Sequence, residues 1–139
     1  MNYMLQTLTL TAIFGIAGCS TRHELPAIDI DAKLKGVEQL VVRDAQQRVV
    51  RTISDQQTMR AFVASLPTWY DFDDIWGKTG TAEYSIEYVG GGRYYDRVTL
   101  TTRSYFIHEG GKAAAKLSKQ QRAAIIQVLG LPVGDAKGG

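Results

Sequence analysis

The chain has 139 residues, and its 16 lysines and arginines nearly balance its 14 aspartates and glutamates, for a formal net charge of +2. An electrostatic nucleic-acid-binding domain would show a larger basic excess or a basic patch, so this balance argues against that class. Because Cys19 is the single cysteine, an intrachain disulfide is excluded. The fold must therefore depend on a hydrophobic core, which one domain of this length can bury.

The N-terminal segment has the pattern of a secretory signal peptide. No Lys, Arg, Asp, Glu or His occurs before Arg22, and an apolar stretch runs from Leu8 to Ala17. A transmembrane helix needs roughly 20 apolar residues, and this stretch is too short and too rich in threonine. A signal peptide needs an apolar core of roughly 7–15 residues followed by small residues, which Ala17 and Gly18 provide.

The run Ile16-Ala17-Gly18-Cys19 carries a more specific signal. It resembles the lipobox of bacterial lipoproteins, which is an aliphatic residue, a small residue, glycine or alanine, and then cysteine. The resemblance covers residues 1–19 alone. It implies that residues 1–18 are a signal peptide and that the Cys19 sulfur receives a diacylglyceryl group. Cleavage then exposes the Cys19 amine, which in this family is usually acylated too, with a chain such as palmitate.

Lipidation at Cys19 makes the membrane a partner of the chain, because two or more acyl chains hold a protein there stably. In Gram-negative members of the family, an aspartate after the cysteine tends to retain the protein at the inner membrane. Here Ser20 follows, which is similar to the pattern of outer-membrane lipoproteins that face the periplasm.

A tether and a β-hairpin are predicted next. Residues 19–35 lack clear periodicity and are interpreted as a lipidated tether. Residues 37–42 and 49–53 are rich in β-forming side chains and flank a polar break, which predicts two strands joined as a hairpin.

The first predicted helix begins at Ser54, because Ser54 and Gln57 match a capping box. Its apolar stripe follows helical spacing, and Pro67 ends it. The stripe consists of Met59, Phe62, Val63 and Leu66.

The second half alternates as strands before a final helix. Residues 82–89 place Tyr84, Ile86 and Tyr88 on one face, and further strands are predicted over 94–103 and 104–108. Ser118 and Gln121 form a second capping box, and Gly130 follows the helix as a C-terminal cap. The prediction is an α+β fold: an antiparallel sheet of about five or six strands with two helices packed on one face. It forms one domain over 36–133, followed by a flexible tail, 134–139.

The densest candidate site precedes the central strands and is predicted to be a loop. Aromatic side chains make good interface anchors, and the aspartates beside them suit a basic partner. The alternative is a lid that folds inward over the core. Because apolar residues interrupt the aspartates, calcium and other metals are not expected. The candidate binding residues are Trp69, Tyr70, Phe72, Asp73, Asp74 and Trp76.

No catalytic or cofactor motif is apparent. His108 and Glu109 are neighbours on a predicted strand and point to opposite faces, which makes them a poor acid–base pair. Arginines 93, 97 and 103 could form an anionic-glycan or lipid-headgroup patch, but cross-strand pairs with Glu83 and Glu87 explain them adequately.

The sequence thus predicts a membrane-anchored, non-enzymatic domain that binds an envelope protein, without cofactors. Two alternatives stay open. One is an enzyme acting on the cell wall, with Asp73, Asp74 and His108 as acid–base groups. The other is a structural spacer without a specific ligand.

Overall fold

The structure is a computed structural model that describes residues 22–24, 28–67, 69–71, 79–108 and 114–132. Within these ranges the chain forms eight strands and three helices. In chain order they are β1 (Arg22–Glu24), α1 (Ile30–Lys33), β2 (Gln39–Asp44), β3 (Val49–Ile53), α2 (Gln56–Ala64), β4 (Trp69–Asp71), β5 (Ala82–Gly90), β6 (Arg93–Thr101), β7 (Tyr105–His108), β8 (Ala114–Lys116) and α3 (Lys119–Val128).

The strands form one antiparallel sheet in the order β1-β4-β8-β7-β6-β5-β2-β3. Strands β5 to β8 are sequential neighbours, and the β2–β3 hairpin joins them beside β5. The predicted α+β class with an antiparallel sheet is confirmed. Strands β1 and β4, of three residues each, extend the sheet beyond the six strands that the sequence pattern indicates.

Helices α2 and α3 pack on the same face of the sheet, as predicted. Their buried side chains contact every second residue of the central strands, because alternate strand residues point to opposite faces of the sheet. The shared core joins Met59, Phe62 and Val63 of α2 and Ile125 and Ile126 of α3 to Leu40, Val42, Ile86, Tyr88, Val98, Leu100 and Phe106 of the sheet.

The N-terminal cap of α2 differs from the prediction. Asp55, not Ser54, is the cap: its carboxylate accepts hydrogen bonds from the Thr58 backbone N–H at 2.7 Å and the Thr58 hydroxyl at 2.6 Å. These hydrogen bonds lower the pKa of Asp55. The predicted Ser54–Gln57 capping box is therefore wrong, because the next residue offers a carboxylate, which the helix N-terminus favours.

Both ends of α3 agree with the sequence. The Ser118 hydroxyl accepts from the Gln121 backbone N–H at 3.1 Å, and the Gln121 side chain accepts from the Ser118 backbone N–H at 2.8 Å. Gly130 follows the helix with φ of +61°, the left-handed conformation that glycine adopts without strain. The predicted capping box and C-terminal glycine are confirmed.

Part of the predicted tether belongs to the domain. Asp29 caps the four-residue helix α1 by accepting from the Ala32 backbone N–H at 3.1 Å. Leu34 is 8% exposed within the core, and Ile30 packs against it. The predicted domain start at residue 36 is therefore too late, because Ile30 and Leu34 have the four-residue spacing of a short apolar helix face.

The structure also corrects the start of the predicted aromatic loop. The backbone of Trp69–Asp71 is strand β4, which pairs with β1 through Glu24↔Trp69, His23↔Tyr70 and Arg22↔Asp71. Asp71 also pairs with Ala114 of β8. Aromatic residues suit a pleated strand as well as a loop, and only the partner strands decide between them.

Candidate functional site

The predicted site residues fall largely outside the described ranges. Trp69 and Tyr70 lie on β4. The structure does not describe Phe72, Asp73, Asp74 and Trp76, nor Cys19 and the tail 134–139. The binding role of the aromatic segment and the lipidation of Cys19 therefore stay predictions.

A candidate surface of which the sequence indicated only the arginines and glutamates is the sheet face opposite α2 and α3. It carries Val41 and Arg43 of β2, Glu87 and Val89 of β5, and Arg97 of β6. The registers Val41↔Glu87, Arg43↔Ser85 and Glu87↔Arg97 place them on one side of neighbouring strands. We call this surface the open face, because both longer helices pack on the other side of the sheet.

Glu87 lies between two arginines on the open face. Its carboxylate accepts from Arg43 Nε at 3.2 Å and lies 4.0 Å from Arg97 Nη1. Of the arginines and glutamates expected to form cross-strand pairs, Arg97 and Glu87 lie within ion-pair distance of each other. Such partly exposed pairs contribute only about 0.2–1 kcal/mol each, so their main effect is on the charge pattern of the face.

Glu83, the other glutamate of that expectation, has a different partner. Glu83 pairs instead with Arg122 of α3, whose guanidinium also donates to the Thr101 carbonyl at 3.1 Å. A register shift between Ala82 and Tyr84 explains the difference, because a bulge re-aims the side chains beside it.

A groove of about 410 Å³ opens on this face, between β2, β5 and the β5–β6 turn. Glu38 and Arg93 line it, and neither side chain forms an ion pair with the residues that the structure describes. Tyr94, 50% exposed, adds an aromatic ring to the same lining. Besides the paired Arg43 and Glu87, the groove thus offers one carboxylate, one guanidinium and one aromatic side chain for contact with a partner.

A second group of polar side chains lies on the helix-facing side, at the end of α1. The Lys33 ammonium pairs with the Asp96 carboxylate and lies 5.1 Å from the Tyr88 ring centroid, in a cation–π position. Asp96 shares the parity of Val98 and Leu100, and a charged residue on that buried parity is the sequence signal for this group.

His108 lies near this group. Its ring centroid is 6.0 Å from that of Phe106, and its register partner is Val98. Burial lowers the pKa of His108 and the charge of Lys33 lowers it further, while Asp96 acts in the opposite direction. The imidazole is therefore neutral at pH 7. The structure does not describe Asp73, Asp74 and Glu109, the other residues named with His108 as acid–base candidates.

We expect Tyr88→Phe to leave the free energy of unfolding unchanged or to raise it by about 1 kcal/mol. The Tyr88 side chain has no exposed surface, and its hydroxyl has no hydrogen-bond partner among the described residues. Removing the hydroxyl therefore removes a desolvation cost without removing a hydrogen bond to any described residue. Urea denaturation measures the change. A loss above about 1 kcal/mol would mean that the hydroxyl binds a group beyond the described ranges.

Comparisons with protein-family models, with curated proteins and with solved structures found no match. Within the described ranges, no helix has the length and apolar character needed to cross a membrane. The same residues contain no group of three or more His, Cys, Asp or Glu side chains that could hold a metal ion.

Proposed function

We propose that the chain is a bacterial lipoprotein, held at the outer membrane by lipid on Cys19, whose α+β domain binds a protein of the cell envelope without catalysing a reaction. The lipobox-like run before Cys19 supports the anchor. The observation that carries the binding role is the groove on the open face, where charged and aromatic side chains line a solvent-open cleft.

The charge pattern of the groove favours a protein partner over a polyanion. Its lining contains two carboxylates, from Glu38 and Glu87, and two guanidiniums, from Arg43 and Arg93. An anionic glycan or a nucleic acid is best matched by a surface of one sign, whereas protein surfaces present both. An exposed tyrosine among them is typical of interface anchors.

We expect Cys19→Ser to release the full-length chain from the membrane fraction and to remove the mass of the acyl groups. The reason is that the Cys19 sulfur is the attachment point for lipid in the family that residues 16–19 resemble. Cell fractionation and mass spectrometry of the intact protein measure both effects. Ser20→Asp is the matched control: it keeps the cysteine and should move the chain to the inner membrane. A Cys19→Ser chain that stays membrane-bound with unchanged mass contradicts the anchor.

The binding role is tested by a photocrosslinking residue at Tyr94 of the full-length chain in intact envelopes. We expect one discrete protein adduct, which disappears in the double variant Glu38→Lys/Arg93→Glu. The same probe at Gln57, exposed on α2, is the control and should give no such adduct. A probe at Trp76 asks whether the predicted segment Trp69–Trp76 also contacts the partner. Identical adducts at Tyr94 and Gln57, or none at Tyr94, contradict the proposal.

A further inference from the structure

Among the described strands, β3 ends the sheet, and no strand pairs with its outer edge. Of the described strands, only β2 pairs with β3. Residues 49–52 are all exposed, including Val49 at 51% and Val50 at 46%. The backbone N–H and C=O groups on the outer side of such a strand are available to another strand.

The turn that leads into this edge is held by side-chain hydrogen bonds, which favours binding an extended chain. The β2–β3 turn is fixed by Asp44, whose carboxylate accepts from the Gln46 and Arg48 backbone N–H groups at 2.9 and 3.0 Å. Arg48 Nε also donates to this carboxylate at 2.8 Å. Preorganisation lowers the entropy lost on binding, so a strand held in this way is a better template than a mobile one.

Sequence features that usually prevent strand addition are sparse here. Proteins protect an edge with proline, several charges, a bulge or a covering element. Strand β3 has no proline and carries one charge, Arg51. The one protective feature present is a bulge, because the register of β3 with β2 shifts between Val42 and Arg43. Two exposed valines remain on β3, and β-branched side chains favour pairing with a further strand.

Arg51 supplies the charge that selects the partner. Its side chain forms no ion pair or hydrogen bond with any described residue, whereas Arg48 is paired with Asp44. Its guanidinium lies against the C-terminal end of α3, where a Cβ on Gly130 would come within 2.8 Å of Arg51 Cζ. A guanidinium with no ion-pair partner among the described residues thus lies beside this edge.

We propose that β3 binds an extended acidic segment of the partner protein by strand addition, with an Asp or Glu of that segment beside Arg51. This inference rests on the proposed function and names the surface and the kind of segment involved. A second copy of this chain fits less well, because antiparallel self-pairing centred on Arg51 sets two guanidiniums opposite each other, and like charges in that position destabilise the pair.

The test is a titration of the isotope-labelled full-length chain in detergent micelles, followed by NMR of the backbone amides. The probes are the peptides Ac-Thr-Val-Glu-Val-Thr-NH₂, its Glu-to-Lys analogue, and an analogue with proline in place of the second valine. We expect shifts confined to β3 and β2 with the first peptide, at least about tenfold weaker binding of the lysine analogue, and no binding of the proline analogue.

Variants of the chain sharpen the result. Val50→Asp should weaken binding of the acidic peptide by about tenfold or more, and Arg51→Glu should reverse the preference toward the lysine analogue. Gln57→Asp is the matched control, because Gln57 is an exposed residue of α2 outside both β3 and the groove. It should bind the acidic peptide as the unaltered chain does.

Four outcomes overturn the proposal: no binding at millimolar peptide, equal binding of the acidic and lysine peptides, shifts away from β3, or dimerisation of the chain through β3. An envelope adduct at Tyr94 without peptide binding to β3 contradicts this inference alone. Peptide binding to β3 without an envelope adduct contradicts the proposed function alone.

Discussion

Phe62→Ala is expected to lower the free energy of unfolding by about 3–5 kcal/mol. Phe62 has no exposed surface, and its ring centroid lies 6.3 Å from those of both Tyr88 and Phe106. It therefore joins α2 to β5 and β7. Truncation removes buried apolar area and leaves a cavity between two layers that cannot collapse independently. Urea denaturation followed by circular dichroism measures the loss.

Tyr94→Ala serves as the control for Phe62→Ala, because Tyr94 is also aromatic but is 50% exposed. We expect its effect to stay within about 0.5 kcal/mol. A Phe62→Ala midpoint close to that of the unaltered chain would mean that the apolar face of α2 does not pack on the sheet.

Gly90→Ala is expected to cost at least about 2 kcal/mol. A Cβ at this position would lie 2.0 Å from the Gly36 carbonyl oxygen and 2.9 Å from the Glu38 backbone nitrogen. Both contacts are with backbone, so no side chain can rotate away. Relief of the clash must move the segment that the Glu38 N–H holds to the Val89 carbonyl at 2.9 Å. Thermal and urea unfolding of the variant measure the cost.

Gly91→Ala is the control for Gly90→Ala, because it distinguishes the cost of a steric clash from the cost of an unfavourable backbone conformation. A Cβ at Gly91 meets nothing within 4 Å, but φ is +56°, which disfavours alanine by about 1–2 kcal/mol. NMR of the two variants should therefore show changes in the backbone-amide chemical shifts around Gly36 only for Gly90→Ala. Equal shifts around Gly36 in both variants would exclude the close backbone approach as the cause.

Features determined by neighbours in the sequence were the predictable ones. The Ser118–Gln121 capping box, the Gly130 cap and the Met59 to Leu66 stripe each depend on residues within one or two helical turns. Which residues of β5 face the core was equally predictable, because Tyr84, Ile86 and Tyr88 alternate with polar residues. These local signals sufficed for the α+β class and for the antiparallel sheet with helices on one face.

Features that need distant partners were not predictable. Helix α1 and strand β4 are too short to be specified by their own residues, and their contacts with the core and with β1 define them. The groove requires Gly90 to approach Gly36, and the charge pattern of the open face requires the register of β2 with β5. For the same reason the sequence singled out the aromatic segment as a candidate site, whereas it indicated Arg97 and Glu87 only as cross-strand partners and did not predict the groove.

The position of β1 limits how far a lipid anchor lets the domain move. If lipid is attached at Cys19, only Ser20 and Thr21 separate it from Arg22, the first residue of β1. An extended chain spans at most about 3.3–3.6 Å per residue, so β1 stays within about 10 Å of the bilayer surface. Strand β3, at the far end of the sheet, is seven strand spacings from β1, or roughly 34 Å at the usual spacing of about 4.8 Å. So short a link would keep the β1 end of the sheet beside the bilayer, whatever the rotation of the domain.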